Sequence, residues 1–80
     1  NPTTTIKVSV NEPAFVGLKI YNILGQEVAT LLNNEFFDEG THEIEFDASS
    51  ISSGLYFYRL NVEQNGTTNF SETKKMMLIK

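Results

Sequence analysis

Surface chemistry needs titratable or nucleophilic groups brought together, and this chain has few of them. It contains one histidine, His42, and no cysteine. Nucleophilic catalysis requires a base beside the nucleophile and an orienting group behind it, and only His42 offers an imidazole. That residue shares an alternating stretch with Ile44 and Phe46, on the side facing a core, so it reads as a packed or edge histidine. Carboxylates are more plentiful. Glu35, Asp38, Glu39, Glu43, Glu45 and Asp47 fall within thirteen positions that hold no Lys or Arg. Glycoside hydrolysis needs two acids across a substrate cleft, and so small a chain has little room for one. The cluster reads instead as a solvated face and loop that discourages edge-to-edge pairing. A weak calcium site is the lesser reading, because hard cations want clustered oxygens but no loop of recognised spacing is present. Asn65-Gly66-Thr67 and Asn69-Phe70-Ser71 match the glycosylation acceptor pattern. Tyr21, Tyr56 and Tyr58 could form an aromatic platform for a sugar, although cross-strand packing is the commoner use of such residues. The residues therefore describe a chain that is not an enzyme and carries no cofactor or metal.

Eighty residues make one domain, spanning 1–80. A domain this small hides only about 60% of the area its unfolded chain exposes, and its stability is expected at roughly 3–5 kcal/mol. Without cysteine there is neither a disulfide framework nor a thiolate metal site. The net charge of −4 argues against nucleic acid as a partner, which requires basic groups against phosphates. No apolar run approaches the ~20 residues that span a bilayer as a helix. The chain opens abruptly at Asn1-Pro2-Thr3-Thr4 and is expected to be a fragment cut from the end of something larger.

Any site must be positioned by short alternating segments. Gly54 to Val62 is the densest aromatic and branched run, with Leu55 and Phe57 on one face and Tyr56, Tyr58, Leu60 and Val62 on the other. A strand apolar on both faces belongs in the middle of a sheet. Thr4 to Val10 and Phe15 to Tyr21 alternate as half-buried strands around a turn at Pro13. Asn22 to Gln26 is a reversal, with Gly25 suited to positive φ. Glu27 to Leu32 is assigned as a strand that Asn33-Asn34 breaks. Glu35 to Glu39 is then a loop or short edge segment, and one of Phe36 and Phe37 plugs the core. Gly40 to Asp47 alternates again, and Asp47 to Gly54 suggests one capped helical turn with Ile51 inward. Asn65-Gly66 is a type I′ hairpin signal. A two-residue loop would set Arg59 opposite Glu72 and Asn61 opposite Phe70, a poor pair that leaves a bulge or longer loop open. The return arm from Thr67 is expected to bend near Thr73-Lys74-Lys75 and continue as Met76-Met77-Leu78-Ile79. That makes seven strands, or six if the arm is continuous. The last segment, apolar on both faces, is expected at a sheet edge, where it could pair two copies.

Leu18-Lys19-Ile20-Tyr21-Asn22-Ile23-Leu24-Gly25-Gln26-Glu27-Val28-Ala29-Thr30-Leu31 resembles the type A C-terminal sorting domains of the type IX (Por) secretion system. Four other blocks agree in order: Asn1 to Ile6, Gly40 to Ser49, Ser53 to Leu60, and Glu72 to Lys80 with its lysines. The resemblance implies an immunoglobulin-like antiparallel β-sandwich of about seven strands, an all-β domain at the C-terminus of an exported protein. It implies an N-terminal passenger that crosses the periplasm to the cell surface or medium. It also implies recognition by an outer-membrane translocon and, in many systems, removal by a sortase-like peptidase. The residues expected to carry recognition are Gly54, Tyr56, Lys74, Lys75, Met76, Met77, Leu78, Ile79 and Lys80. The alternative is a carbohydrate-binding or adhesive β-sandwich of a secreted enzyme, and a weaker third reading is an inert spacer of fibronectin III type.

Overall fold

Alternation with a period of two decides which side chains face inward, and the chain obeys it over most of its length. The computed structural model describes residues 3–64 and 67–79. Asn1, Pro2, Asn65, Gly66 and Lys80, and with them the first two residues of the opening block, the Asn65-Gly66 turn and the last candidate residue, lie outside the described residues. The strands are β1 Thr3–Val10, β2 Ala14–Tyr21, β3 Glu27–Phe37, β4 Gly40–Asp47, β5 Gly54–Gln64 and β6 Thr67–Leu78. They form two antiparallel sheets, β1-β4 and β3-β2-β5-β6. The chain crosses between sheets after β1, β3 and β4, which gives the immunoglobulin-like sandwich its layers. The shortest dimension is 16 Å, room for a single layer of interdigitating side chains between sheets about 10 Å apart.

That layer is built from even-numbered positions. Ile6 and Val8 of β1 and Phe46 of β4 are buried against Val16, Leu18 and Ile20 of β2, of which the last three are wholly enclosed. Gly54 to Gln64 is an interior strand as expected, hydrogen-bonded to β2 on one side and β6 on the other. Between β4 and β5 the chain turns a corner that the sequence suggests as helical. It is a turn without a helix, made by Asp47 Oδ1 accepting from the Ser49 N–H at 3.0 Å and Ala48 O accepting from the Ile51 N–H at 3.2 Å. Ile51 does point inward, half-buried against the core. The buried Tyr56 donates its hydroxyl to Ser52 O at 2.8 Å, a tie across the corner of the kind known as a tyrosine corner in sandwiches.

Two stretches differ from their sequence patterns, and both are edge strands. β3 is not broken at Asn33-Asn34; it runs on to Phe37 through three register shifts against β2. Asn34 takes φ 55°, a left-handed conformation that Asn tolerates better than most residues. The strand therefore bulges instead of ending. Phe37 packs against the core, while Phe36 lies outside, edge-on to Phe15 with ring centroids 5.5 Å apart. β6 does not bend at Thr73-Lys74-Lys75. It stays paired with β5 from Thr67 to Leu78, so the count is six strands, not seven. One register shift between Val62 and Glu63 skips Asn69 and moves Arg59 opposite Thr73, Leu60 opposite Glu72 and Val62 opposite Phe70. The poor Asn61–Phe70 pair is thereby avoided by the bulge.

Candidate recognition site

Most of the residues that the sequence nominates fall on the second half of β6. The strand closes the order β3-β2-β5-β6, so one side of its backbone has no neighbouring strand among the described residues. From Phe70 to Leu78 its register against β5 is regular. Alternation separates its residues by face. Lys74 lies opposite Tyr58 and Met76 opposite Tyr56, on the inner face, whereas Lys75 lies opposite Phe57 and Met77 opposite Leu55, on the outer one. The two lysines are neighbours in sequence and strangers in space. Lys74 Nζ is 3.9 Å from the Glu72 carboxylate, while no ion pair forms at Lys75 among the described residues. Leu78 is buried and Met76 half-buried, but Met77 and Ile79 are 64% and 82% exposed.

Gly54 and Tyr56 sit differently. Gly54 begins β5 at φ 154°, a conformation that side chains disfavour, and Tyr56 is the buried corner residue. Both are structural parts of the turn that brings β5 under β6. The three tyrosines form no platform. Tyr56 and Tyr58 face inward, whereas Tyr21 lies opposite Phe57 on the outer face. His42 is half-buried, its ring 4.4 Å from that of Phe37, with Nε2 donating to Asp38 O at 2.8 Å. Glu43 and Glu45 are exposed on the outer face of β4, with Lys7 opposite Glu43. Among the described residues no three acids or histidines converge on a metal position. A cleft of about 590 Å³ opens between the sheets, lined by Val10, Val62 and Phe70 together with Ser9, Thr41 and Gln64. No titratable side chain lines it among the described residues, so it holds neither a general acid nor a base.

A second built feature is the reversal expected over Asn22 to Gln26, whose residues were not nominated for recognition. The β2–β3 connection is held by Asn22, whose Oδ1 accepts from the N–H groups of Leu24 and Gln26 at 2.9 and 3.0 Å. Its Nδ2 donates to Gln26 Oε1 at 2.8 Å. The backbone adds Gly25 N–H to Asn22 O and Asn22 N–H to Gln26 O, each at 3.0 Å. Gly25 takes φ 81°, which a side chain would resist. Just beyond, Glu27 accepts from the Thr30 hydroxyl at 2.7 Å and lies 3.4 Å from Lys19 Nζ. The Thr30 bond first, then the Lys19 charge, hold its carboxyl below the ordinary range. The signal in the sequence was the pair Ile23-Leu24 inside a turn, where polar residues are usual.

No curated protein and no solved structure matches this chain. A family model described as the secretion system C-terminal sorting domain matches residues 1–78. That match covers both sheets, the Asn22 turn, the corner and β6 up to its last residue. The chain thus belongs to the type IX secretion C-terminal sorting domains, non-catalytic tails that direct an attached N-terminal passenger to the secretion machinery and on to the cell surface or medium.

Proposed function

We propose that the secretion machinery reads this domain at the open edge of β6. One observation carries the reading: the sheet has two edges, and only one is fit to receive a strand. The β3 edge is interrupted by three register shifts and a left-handed Asn34, devices that discourage pairing. The β6 edge is regular from Phe70 to Leu78. An outer-membrane translocon component extends the sheet there by backbone pairing along Met76 to Ile79. Lys75 and Lys74, on opposite faces, then set register and orientation electrostatically. The passenger arrives by way of the periplasm, and a sortase-like peptidase removes the domain after export. The domain itself has no hydrolase or transferase activity, which the lack of any titratable group around the cleft among the described residues supports. The chain is one domain of a larger secreted protein. Two copies of the isolated domain associate weakly through the same edge.

The test is a fusion of the full chain to a periplasmic reporter in a bacterium with type IX secretion. Delivery of the parent fusion, lost on removing Glu72 to Lys80, is expected. Lys74→Glu with Lys75→Glu should leave folding intact, since exposed substitutions usually stay within ~0.5 kcal/mol, and should reduce delivery. Undiminished export of the charge-reversed fusion would remove the lysines from recognition. Absence of export from the parent would defeat the edge-recognition reading.

A further inference from the structure

The tip of the β2–β3 hairpin holds two large apolar side chains in water. Ile23 is 68% and Leu24 77% exposed, in a turn whose only task, were it a mere reversal, would be met by polar residues. Nor is the turn slack. Asn22 and Gln26 fasten it with five hydrogen bonds, three of them to the Asn22 side chain. A backbone fixed in this way loses little further freedom on binding, which lowers the cost of presenting an anchor.

The surface behind the tip continues the pattern. On the outer face Tyr21 lies opposite Phe57, and Leu55 lies opposite the exposed Met77. Ile23, Tyr21 and Phe57 line one shallow hollow with Arg59 and Thr73. Lys19 lies opposite Arg59, and Lys75 lies opposite Phe57. Three of the chain's six cationic residues thus frame one apolar strip, in a molecule whose net charge is negative. The acids Glu43 and Glu45 are on the other sheet, while Glu27 lies opposite Tyr21 and is 3.4 Å from Lys19, leaving Arg59 and Lys75 as the cations of the strip without a carboxylate partner among the described residues.

We propose that Ile23 and Leu24, with the Tyr21–Phe57 strip behind them, form a second recognition surface for a protein of the secretion machinery, one presenting an apolar pocket rimmed by carboxylates. This rests on the sorting role and adds to the β6 edge a contact on a different element. A lipid surface fits less well. Anionic headgroups would meet the tip first, and Glu27 adjoins the tip, while Lys19 is set two residues inside the end of β2 at Tyr21, about 7 Å at strand spacing. A carboxylate-rimmed protein pocket matches apolar tip and set-back cations together.

The experiment uses the same reporter fusion with Ile23→Ser and Leu24→Ser, keeping Glu72 to Lys80 intact. Both side chains are exposed, so the thermal midpoint of the domain should move by no more than about 4 °C. Should the double variant move further, Leu24→Asn alone is read instead. Delivery is expected to fall about fivefold or more, as for loss of a binding anchor, with recovery in Ile23→Val plus Leu24→Met. Delivery at the parent level would overturn the proposal and leave the β6-edge reading in place. A parent fusion that is not exported would overturn that reading, and this one with it. The isolated domain is also sedimented with vesicles of phosphatidylethanolamine and phosphatidylglycerol. Co-sedimentation abolished by Ile23→Ser with Leu24→Ser would overturn the protein partner in favour of a membrane, and absence of binding supports the protein.

Discussion

Tyr56 offers the sharpest separation of folding from recognition, because one atom can be removed without touching the core. Its hydroxyl donates to Ser52 O at 2.8 Å across the β4–β5 corner, while the ring is buried. Tyr56→Phe deletes the bond and keeps the ring. A net intramolecular hydrogen bond is worth about 0.5–1.5 kcal/mol, and Ser52 is exposed, so water can take over its carbonyl. The loss should sit near 1 kcal/mol, which for a domain of this size lowers the thermal midpoint by about 4–8 °C. Tyr56→Ala is another matter. Truncating a buried aromatic costs about 3–5 kcal/mol, as much as the roughly 3–5 kcal/mol expected for a whole domain of this size. That variant should be largely unfolded at growth temperature. Circular dichroism melts and reporter export measured together then decide the role. A corner residue predicts Tyr56→Phe folded, slightly weakened and exported, and Tyr56→Ala unfolded and retained. Tyr56→Phe with an unchanged midpoint would refute the energetic reasoning. Tyr56→Phe that folds but is not exported would refute the structural assignment and return Tyr56 to the recognised surface.

The left-handed Asn34 should accept glycine with no loss, whereas Asn34→Val should cost about 1–2 kcal/mol by forcing a branched side chain to positive φ; urea melts compare the two. Glu27 has a depressed carboxyl in the folded state, so the stability it contributes is present above the unfolded value and is lost as pH falls through the lower folded one. The difference in midpoint between the parent and Glu27→Gln should therefore be present at neutral pH and vanish on acidification below the ordinary carboxylate range. The regular β6 edge predicts concentration-dependent association of the isolated domain, and sedimentation showing a strict monomer at high micromolar concentration would exclude pairing through it.

What the sequence disclosed depended on whether a segment is judged by its own pattern or by its neighbour. β1, β2 and β4 alternate cleanly, and β5 is apolar on both faces, so their existence and β5's interior place were legible from side-chain period alone. The irregularity beside the hairpin was legible too, as a bulge or a longer loop, because Asn61 opposite Phe70 is a pairing a sheet avoids; it is a bulge. The lengths of β3 and β6 were not. Asn33-Asn34 and Thr73-Lys74-Lys75 look like interruptions locally, yet β2 and β5 supply hydrogen bonds that carry the edge strands through them. The one-residue register shift also decides which face each β6 side chain takes, so which of Lys74 and Lys75 faces inward waited on the bulge. In the recognition site, the edge position of the last strand was foreseen. The exposure of Ile23 and Leu24 was not, because apolar residues in a turn are usually assumed to fold back onto a core.

The distribution of burial favours the proposed placement of recognition. The enclosed side chains belong to β2, with Val8 of β1 and Ala48 at the corner. The two-stranded sheet cannot cover four strands, so Glu72 and Lys74 remain exposed on the inner face of β6 even though that face packs elsewhere. In a domain expected to hold only roughly 3–5 kcal/mol of stability, a residue serving both core and partner could scarcely vary without unfolding the molecule. Lys75, Met77, Ile79, Ile23 and Leu24 carry almost none of the core, and their replacement should change binding while the fold persists. Gly54 and Tyr56 are the reverse, holding the corner from which β5 and therefore β6 take their positions. On the proposed reading they would act on recognition only by placing β6.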